Sequence, residues 1–128
     1  MRRIFIAEDT PEDALVLEAV LTRHEGRLVR FFSDGLELYR TVRRDAPDLL
    51  VLDIILQGLG GLALTRLLKL HDHTRHIPIV VSSSIIDPDI RERVTRAGAD
   101  AFVPKPFDPE AMEREVSRLL GEVRPTSG

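Results

Sequence analysis

The sequence predicts an α/β domain in which helices cover a parallel sheet of five strands. Short apolar runs of strand length alternate with longer segments of helical period, which is the pattern of βαβ units rather than of separate α and β blocks. Two runs, residues 49–52 (Leu-Leu-Val-Leu) and 77–81 (Ile-Pro-Ile-Val-Val), are apolar throughout, as strands buried on both faces are. Thr10-Pro11, Asp87-Pro88 and Asp108-Pro109 each set a capping oxygen before a proline suited to the first helical position.

Taken in order, the strands are predicted at 4–7, 28–32, 49–52, 77–81 and 101–103, with the third and fourth as the central pair. The helices are predicted at 11–24, 34–44, 61–70, 88–97 and 108–120. Asp13 three residues after Thr10 and Glu37 three after Asp34 approximate capping boxes. Gly60-Gly61 loosens the chain before the third helix. In the fourth, Ile90, Val94 and Ala97 form a buried stripe that leaves Arg91, Glu92, Arg93 and Arg96 to water. No internal repeat is visible, and only residues 124–128 have linker composition.

The chain has 128 residues, 43% of them hydrophobic, which is enough for one domain with one core. It contains no cysteine, which excludes a disulfide scaffold, a thiol nucleophile, a Cys-based zinc site and an iron–sulfur cluster. Eighteen Lys and Arg against 21 Asp and Glu give a net charge of −3, without the basic run that nucleic acid or a membrane surface would select. The N-terminus turns acidic before any signal-peptide core, and no stretch approaches the roughly 20 apolar residues of a membrane span. A soluble cytoplasmic protein is the expectation.

In an open α/β sheet, ligands bind beyond the carboxyl ends of the strands. There the first strand runs into Glu8-Asp9, the third into Asp53, the fourth into Ser82-Ser83-Ser84, and the fifth toward Lys105 within Phe102-Val103-Pro104-Lys105-Pro106-Phe107. If the first and third strands are neighbours, three carboxylates converge, and their repulsion calls for a hard divalent cation such as Mg²⁺. A carboxylate nucleophile, a cation, a hydroxyl and a fixed ammonium together suit phosphoryl transfer. Lys69 and Lys105 are the only lysines, every other cationic side chain being arginine, so a compact point charge is wanted at this strand end. Each feature alone has an ordinary explanation: a helix dipole for Glu8-Asp9, a turn for Asp53, a polar loop for 82–84, a solvated charge for Lys105. The joint pattern at successive strand ends carries the chemical reading.

On these residues the chain resembles the response-regulator receiver domains, the CheY-like family of two-component signalling. The likeness covers residues 3–121 and rests on Glu8-Asp9, Asp53, the Pro78 to Ser83 strand, Lys105-Pro106-Phe107, and the gaps between them. It implies a doubly wound (βα)5, flavodoxin-like fold with strand order 2-1-3-4-5, a receiver domain at 1–122 and a tail or linker at 123–128. It implies that Asp53 accepts a phosphoryl group from a phosphohistidine on a sensor kinase or phosphotransfer protein. Asp9 would bind Mg²⁺ (or Mn²⁺) directly, Glu8 largely through water, Asp53 as a third carboxylate, and Ile55 through its backbone carbonyl. Ser83 and Lys105 would bind phosphoryl oxygens, and Phe102 would act with Ser83 as the switch. The changed face of fourth helix, fifth strand and fifth helix would engage a downstream protein, with homodimerisation on phosphorylation as a further outcome. The resemblance implies no nucleic-acid or membrane binding, and no enzyme activity beyond the domain's own phosphorylation and dephosphorylation. It also implies a cis Lys105-Pro106 bond.

Two departures bear on behaviour. Gln57 replaces a proline common in the family after the phosphoacceptor, which predicts a looser loop. Ile55 and Ile85, two residues beyond Asp53 and Ser83, are bulky and apolar and predict a long-lived phospho-state, since they hinder and do not orient an attacking water. An FMN carrier would want a Ser/Thr/Gly-rich cradle after the first strand, where Glu8-Asp9 repels phosphate. A haloacid-dehalogenase-type phosphatase would want Asp-x-Asp there, and a binding-only pseudo-receiver would not need the full residue set. The run from His71 to His76 reads as a solvated loop remote from the carboxylates rather than as a metal site.

Overall fold

Five parallel strands form one sheet in the order β2-β1-β3-β4-β5. The computed structural model describes residues 1–122, so the expected tail at 123–128 lies outside the described residues. The elements are β1 (Arg2–Ala7), α1 (Pro11–Leu21), β2 (Arg27–Phe32), α2 (Gly35–Arg44), β3 (Leu49–Asp53), α3 (Gly61–Leu70), β4 (Ile79–Ser83), α4 (Ile90–Ala97), β5 (Ala101–Pro104) and α5 (Pro109–Leu120).

The pleat divides the core in two. Phe5, Leu50, Leu52 and Val81 face α2, α3 and α4, where Leu38, Leu64 and Val94 meet them. Ile4, Ile6, Val51 and Val80 face α1 and α5, against Leu17, Val20, Met112 and Val116. Every residue of β3 and β4 is buried, which is why both read as unbroken apolar runs until their polar ends. The third and fourth strands are indeed interior neighbours, but β1 is interior as well, and β3 alone is the middle strand.

Boundaries moved where hydrogen bonding decided them. β4 starts at Ile79 because Pro78 has no N–H for the ladder, although its carbonyl accepts from Leu50 N at 3.0 Å. It runs on to Ser83 because Ser82 and Ser83 pair with Val103 and Pro104. Helix α1 ends at Leu21, short of the predicted 24. Thr22 Oγ1 donates back to Glu18 O at 2.6 Å, and the Arg27 guanidinium donates to Leu21 O at 3.1 Å. Asp34 and Asp108 cap α2 and α5 as expected, through the amides of Leu36 and Glu37 and of Glu110. Thr10 has the extended backbone of an N-cap, but its side chain accepts no capping hydrogen bond from α1. The expectation for Asp87-Pro88 is corrected: both precede the helix, Ile90 N bonds Asp87 O at 3.1 Å, and Asp89 takes the N-cap position without a side-chain bond.

The fourth-helix stripe is as predicted, with Ile90, Val94 and Ala97 buried. Gly98 ends that helix at φ 103°, a conformation open to glycine at little steric cost. Among the described residues no helix is long and apolar enough to cross a membrane.

Candidate functional site

The pleat that places Ile6, Val51 and Val103 on the α1/α5 face continues, two residues further along each strand, to Glu8, Asp53 and Lys105. β1 and β3 are paired neighbours, so Glu8 and Asp53 leave adjacent strands side by side. Glu8, Asp9 and Asp53 offer carboxylate oxygens that all lie within 4.8 Å of one another. Glu8 and Asp53 are buried and Asp9 is exposed at the rim.

Lys105 closes the cluster from β5. Its Nζ lies 2.8 Å from Glu8 Oε2, 2.9 Å from Asp13 Oδ2 and 2.9 Å from Asp53 Oδ2, which occupies the three donors of the ammonium. Burial by itself would push this ammonium down, but the bonds to Glu8, Asp53 and Asp13 outweigh it and its pKa is raised. Burial likewise drives the Glu8 carboxyl up and Asp53 adds to it, while Lys105 and the Thr10 amide pull the other way; the net direction is upward. Four carboxylates thus face one cation, and the crevice is electronegative. Asp13 is the member that sequence reasoning missed, having been read only as a helix-start residue. Its place in the first turn of α1, directly after the Glu8-Asp9 loop, was the available signal.

Backbone hydrogen bonds tie the loop after Asp53 to α2 and to the start of α3. Gly35 N donates to Gln57 O at 2.9 Å, Asp34 forms an isolated bridge with Gln57, and Gly61 N returns to Ile54 O at 2.9 Å. A Cβ on Gly61 would collide with the Asp53 carbonyl oxygen, so only glycine lets α3 start against β3. The Gly35 bond uses the carbonyl of residue 57, which a proline would also offer, so it stands beside the expectation drawn from Gln57 and does not test it. Ile55 N donates to Asp53 Oδ1 at 3.3 Å, and Ile55 is 59% exposed.

Ser83 and Phe102 fall on the opposite pleat, with Val81. Ser83 Oγ accepts from Ile85 N at 3.1 Å, and Asp53 is not its partner. Phe102 is half-buried against the α2–α4 side of the core, with the Arg91 guanidinium of α4 5.1 Å from its ring centre. Ile85 is also half-buried on that side. The Lys105-Pro106 peptide is cis. The histidines between 71 and 76 lie between α3 and β4, outside the group of carboxylates able to share an ion.

A doubly wound (βα)5 sheet with three carboxylates and a lysine at its carboxyl edge defines the receiver class of signalling domain. Residues 4–117 match the family model of the response regulator receiver domain, and the chain belongs to that family. It is 29% identical to Protein PilH of Pseudomonas aeruginosa over 94% of this chain and 98% of that one. It is 34% identical to Response regulator PleD of Caulobacter vibrioides over 83% of this chain but only 23% of PleD, so some curated relatives are much longer. Among solved structures, the receiver domain of a signal transduction histidine kinase from Syntrophus aciditrophicus superposes with a TM-score of 0.86 at 31% identity, covering 100% of this chain and 96% of that one. The receiver domain of a sensor histidine kinase from Pseudomonas aeruginosa, which has magnesium coordinated in its active-site cleft, gives 0.83 at 29%, covering 94% of this chain and 98% of its own. The protein is thus a receiver domain of two-component signalling with the acidic pocket residues in place.

Proposed function

We propose that the domain is a phosphorylation-driven switch that accepts a phosphoryl group on Asp53 from a phosphohistidine of a sensor kinase or phosphotransfer protein. The observation that carries this reading is the buried Asp53 carboxylate bonded at 2.9 Å to Lys105 Nζ, within an acidic trio compact enough to share one ion. In the transfer, an Asp53 carboxylate oxygen forms the new P–O bond, the P–N bond of the donor breaks, and the departing imidazole takes up a proton.

The donor set fits Mg²⁺, with Mn²⁺ as a substitute: Glu8, Asp9 and Asp53 supply hard oxygens and the Ile55 carbonyl a fourth. A cation held there offsets charge on the phosphoryl oxygens. Lys105 pairs one of those oxygens. A phosphoryl group on Asp53 extends past the strand ends, where Ser83 leaves its turn with Ile85 to donate its hydroxyl proton. Movement of Ser83 opens space on the side of Phe102, whose inward rotation breaks its stacking with Arg91 and alters the α4-β5-α5 face. That face then engages a downstream protein or a second copy of the domain. The domain's chemistry is confined to its own phosphorylation and dephosphorylation, without turnover of a separate substrate, and its working place is the cytoplasm.

Intact-mass measurement after incubation with Mg²⁺ and acetyl phosphate tests this. Wild type is expected to gain one phosphoryl group and the Asp53→Asn variant none. An equal adduct on the variant removes Asp53 from the role, and no adduct on wild type with either acetyl phosphate or a phosphohistidine donor overturns the reading.

A further inference from the structure

Ser82 Oγ is the buried side-chain polar atom that has no hydrogen-bond partner among the described residues. The residue is 1% exposed and follows Ile79, Val80 and Val81 in β4. A buried, unpaired hydroxyl is destabilising, and alanine or valine would fill the position without it. Its surroundings explain what it is for.

Asp53 and Ser82 are register partners on adjacent parallel strands, so their side chains leave the same face of the sheet. Lys105 follows β5, on the far side of β4 from Asp53, yet its Nζ touches Asp53 Oδ2. Neighbouring strands are about 4.8 Å apart, so the lysine stem must cross β4 to reach β3. Ser82 is the β4 residue on that face at the level of Asp53. The hydroxyl therefore sits beneath the bridge between ammonium and acceptor, one residue before Ser83 and on the other side of the strand.

The three N–H groups of Lys105 all go to carboxylates, Glu8, Asp13 and Asp53. Glu8 and Asp53 also belong to the trio able to hold a cation, and their oxygens cannot serve both partners fully. When they turn to a cation or a phosphoryl group, Lys105 needs another acceptor. We propose that Ser82 is a positioning residue for this event: its oxygen accepts an N–H of Lys105 and its proton is donated to Asp53, which keeps the ammonium beside the phosphoacceptor. The inference rests on the receiver reading of the site, but it concerns a contact within the chain that can be measured without phosphorylation.

The isosteric variants Ser82→Thr and Ser82→Val isolate the hydroxyl, and Ser82→Ala serves as a second hydroxyl-free form should the valine disturb folding. Lysine-selective ¹⁵N labelling leaves two side-chain ammonium signals, Lys69 and Lys105, because no other lysine exists. Lys69 is an internal control, held elsewhere by Asp100 and the Ile77 carbonyl. At saturating Mg²⁺, the Lys105 ammonium is expected to exchange protons with water about tenfold faster in Ser82→Val and Ser82→Ala than in wild type or Ser82→Thr, the scale of one charge-assisted hydrogen bond. Phosphoryl uptake from acetyl phosphate is expected to slow by a similar factor in the hydroxyl-free variants, and because the contact forms only once the cation is bound, Mg²⁺ affinity is expected to fall by a similar factor. Equal Lys105 exchange in the threonine and valine variants overturns the proposal. Unequal exchange in proteins that never accept a phosphoryl group leaves the Ser82 contact standing and refutes the phosphoacceptor role proposed for Asp53 instead.

Discussion

Replacing Lys105 with methionine keeps the stem and removes the cation from four carboxylates. The ammonium bonds Glu8, Asp13 and Asp53 at 2.8 to 2.9 Å, and the side chains of Lys105, Glu8 and Asp53 are 8%, 1% and 8% exposed. These are not surface pairs of about 0–1 kcal/mol. Removal of one partner from a buried pair is destabilising by about 3–5 kcal/mol, and because the crevice opens to water beside Asp9, the lower end, about 3 kcal/mol at pH 7.5, is expected. The pH dependence has a definite sign. Burial already raises Glu8, Lys105 opposes that rise, and its loss lifts Glu8 further. An acid whose folded pKa exceeds its unfolded value of about 4.3 binds protons more tightly in the folded state. Stability of the variant therefore falls as pH rises from the unfolded toward the folded pKa. In the wild type, the raised pKa of Lys105 keeps its own contribution constant between pH 5 and 7.5; it is lost only as pH rises past the unfolded value of about 10.4 and through the folded one. Urea unfolding at pH 5.0 and 7.5 measures both effects. Far-UV circular dichroism is the natural probe, because the chain has no tryptophan and a single tyrosine. Mg²⁺ should restore stability to the variant, by about 2.7 kcal/mol at a concentration 100 times its Kd, and should bind it more tightly than wild type because no ammonium competes. A loss below about 1 kcal/mol at pH 7.5, or stability that increases from pH 5.0 to 7.5, refutes this account of the crevice.

Two further outcomes are expected. The Arg27 side chain is fully buried and bonds Glu113 at 2.6 Å and Glu122 at 2.8 Å, with Ser117 and Leu21 O as additional acceptors, so it fastens the end of α5 to β2. Arg27→Met should lower stability by about 3 kcal/mol in urea unfolding. Although burial opposes it, the Glu113 carboxyl is held below its ordinary value by Arg27 and Ser117, so wild type loses stability as pH falls from about 4.3 through the folded pKa; the variant should show a shallower acid dependence. In Ile55→Asn, an exposed apolar side chain two residues beyond Asp53 becomes one able to orient water, and the phospho-state half-life after desalting should shorten about tenfold; an unchanged half-life removes Ile55 from the control of hydrolysis.

Much of this was legible in the chain because it depends on local chemistry and period. Asp34 and Asp108 announce their helices through short-range hydrogen bonds, and β3 and β4 announce themselves because double-sided burial admits few polar residues. The ends of α1 and α4 were misplaced because partners distant in sequence, or a turn ahead of the helix, decided them: Arg27 takes the Leu21 carbonyl, and Pro88 lies in a turn closed on Asp87 O. The bond from Gly35 N to Gln57 O was likewise illegible, because it joins two elements distant in sequence.

The sequence by itself determined the strand-helix alternation, the burial of β3 and β4, and which residue types stand at the strand ends, all consequences of hydrophobic period and local capping. Only the tertiary structure decided which of those ends meet. Strand order puts β1 beside β3, and the pleat puts Glu8, Asp53 and Lys105 on one face and Ser83 on the other. It also drew Asp13 to the Lys105 ammonium and buried the Ser82 hydroxyl without a partner among the described residues. Such outcomes follow from register between strands tens of residues apart in the chain, which no local pattern encodes.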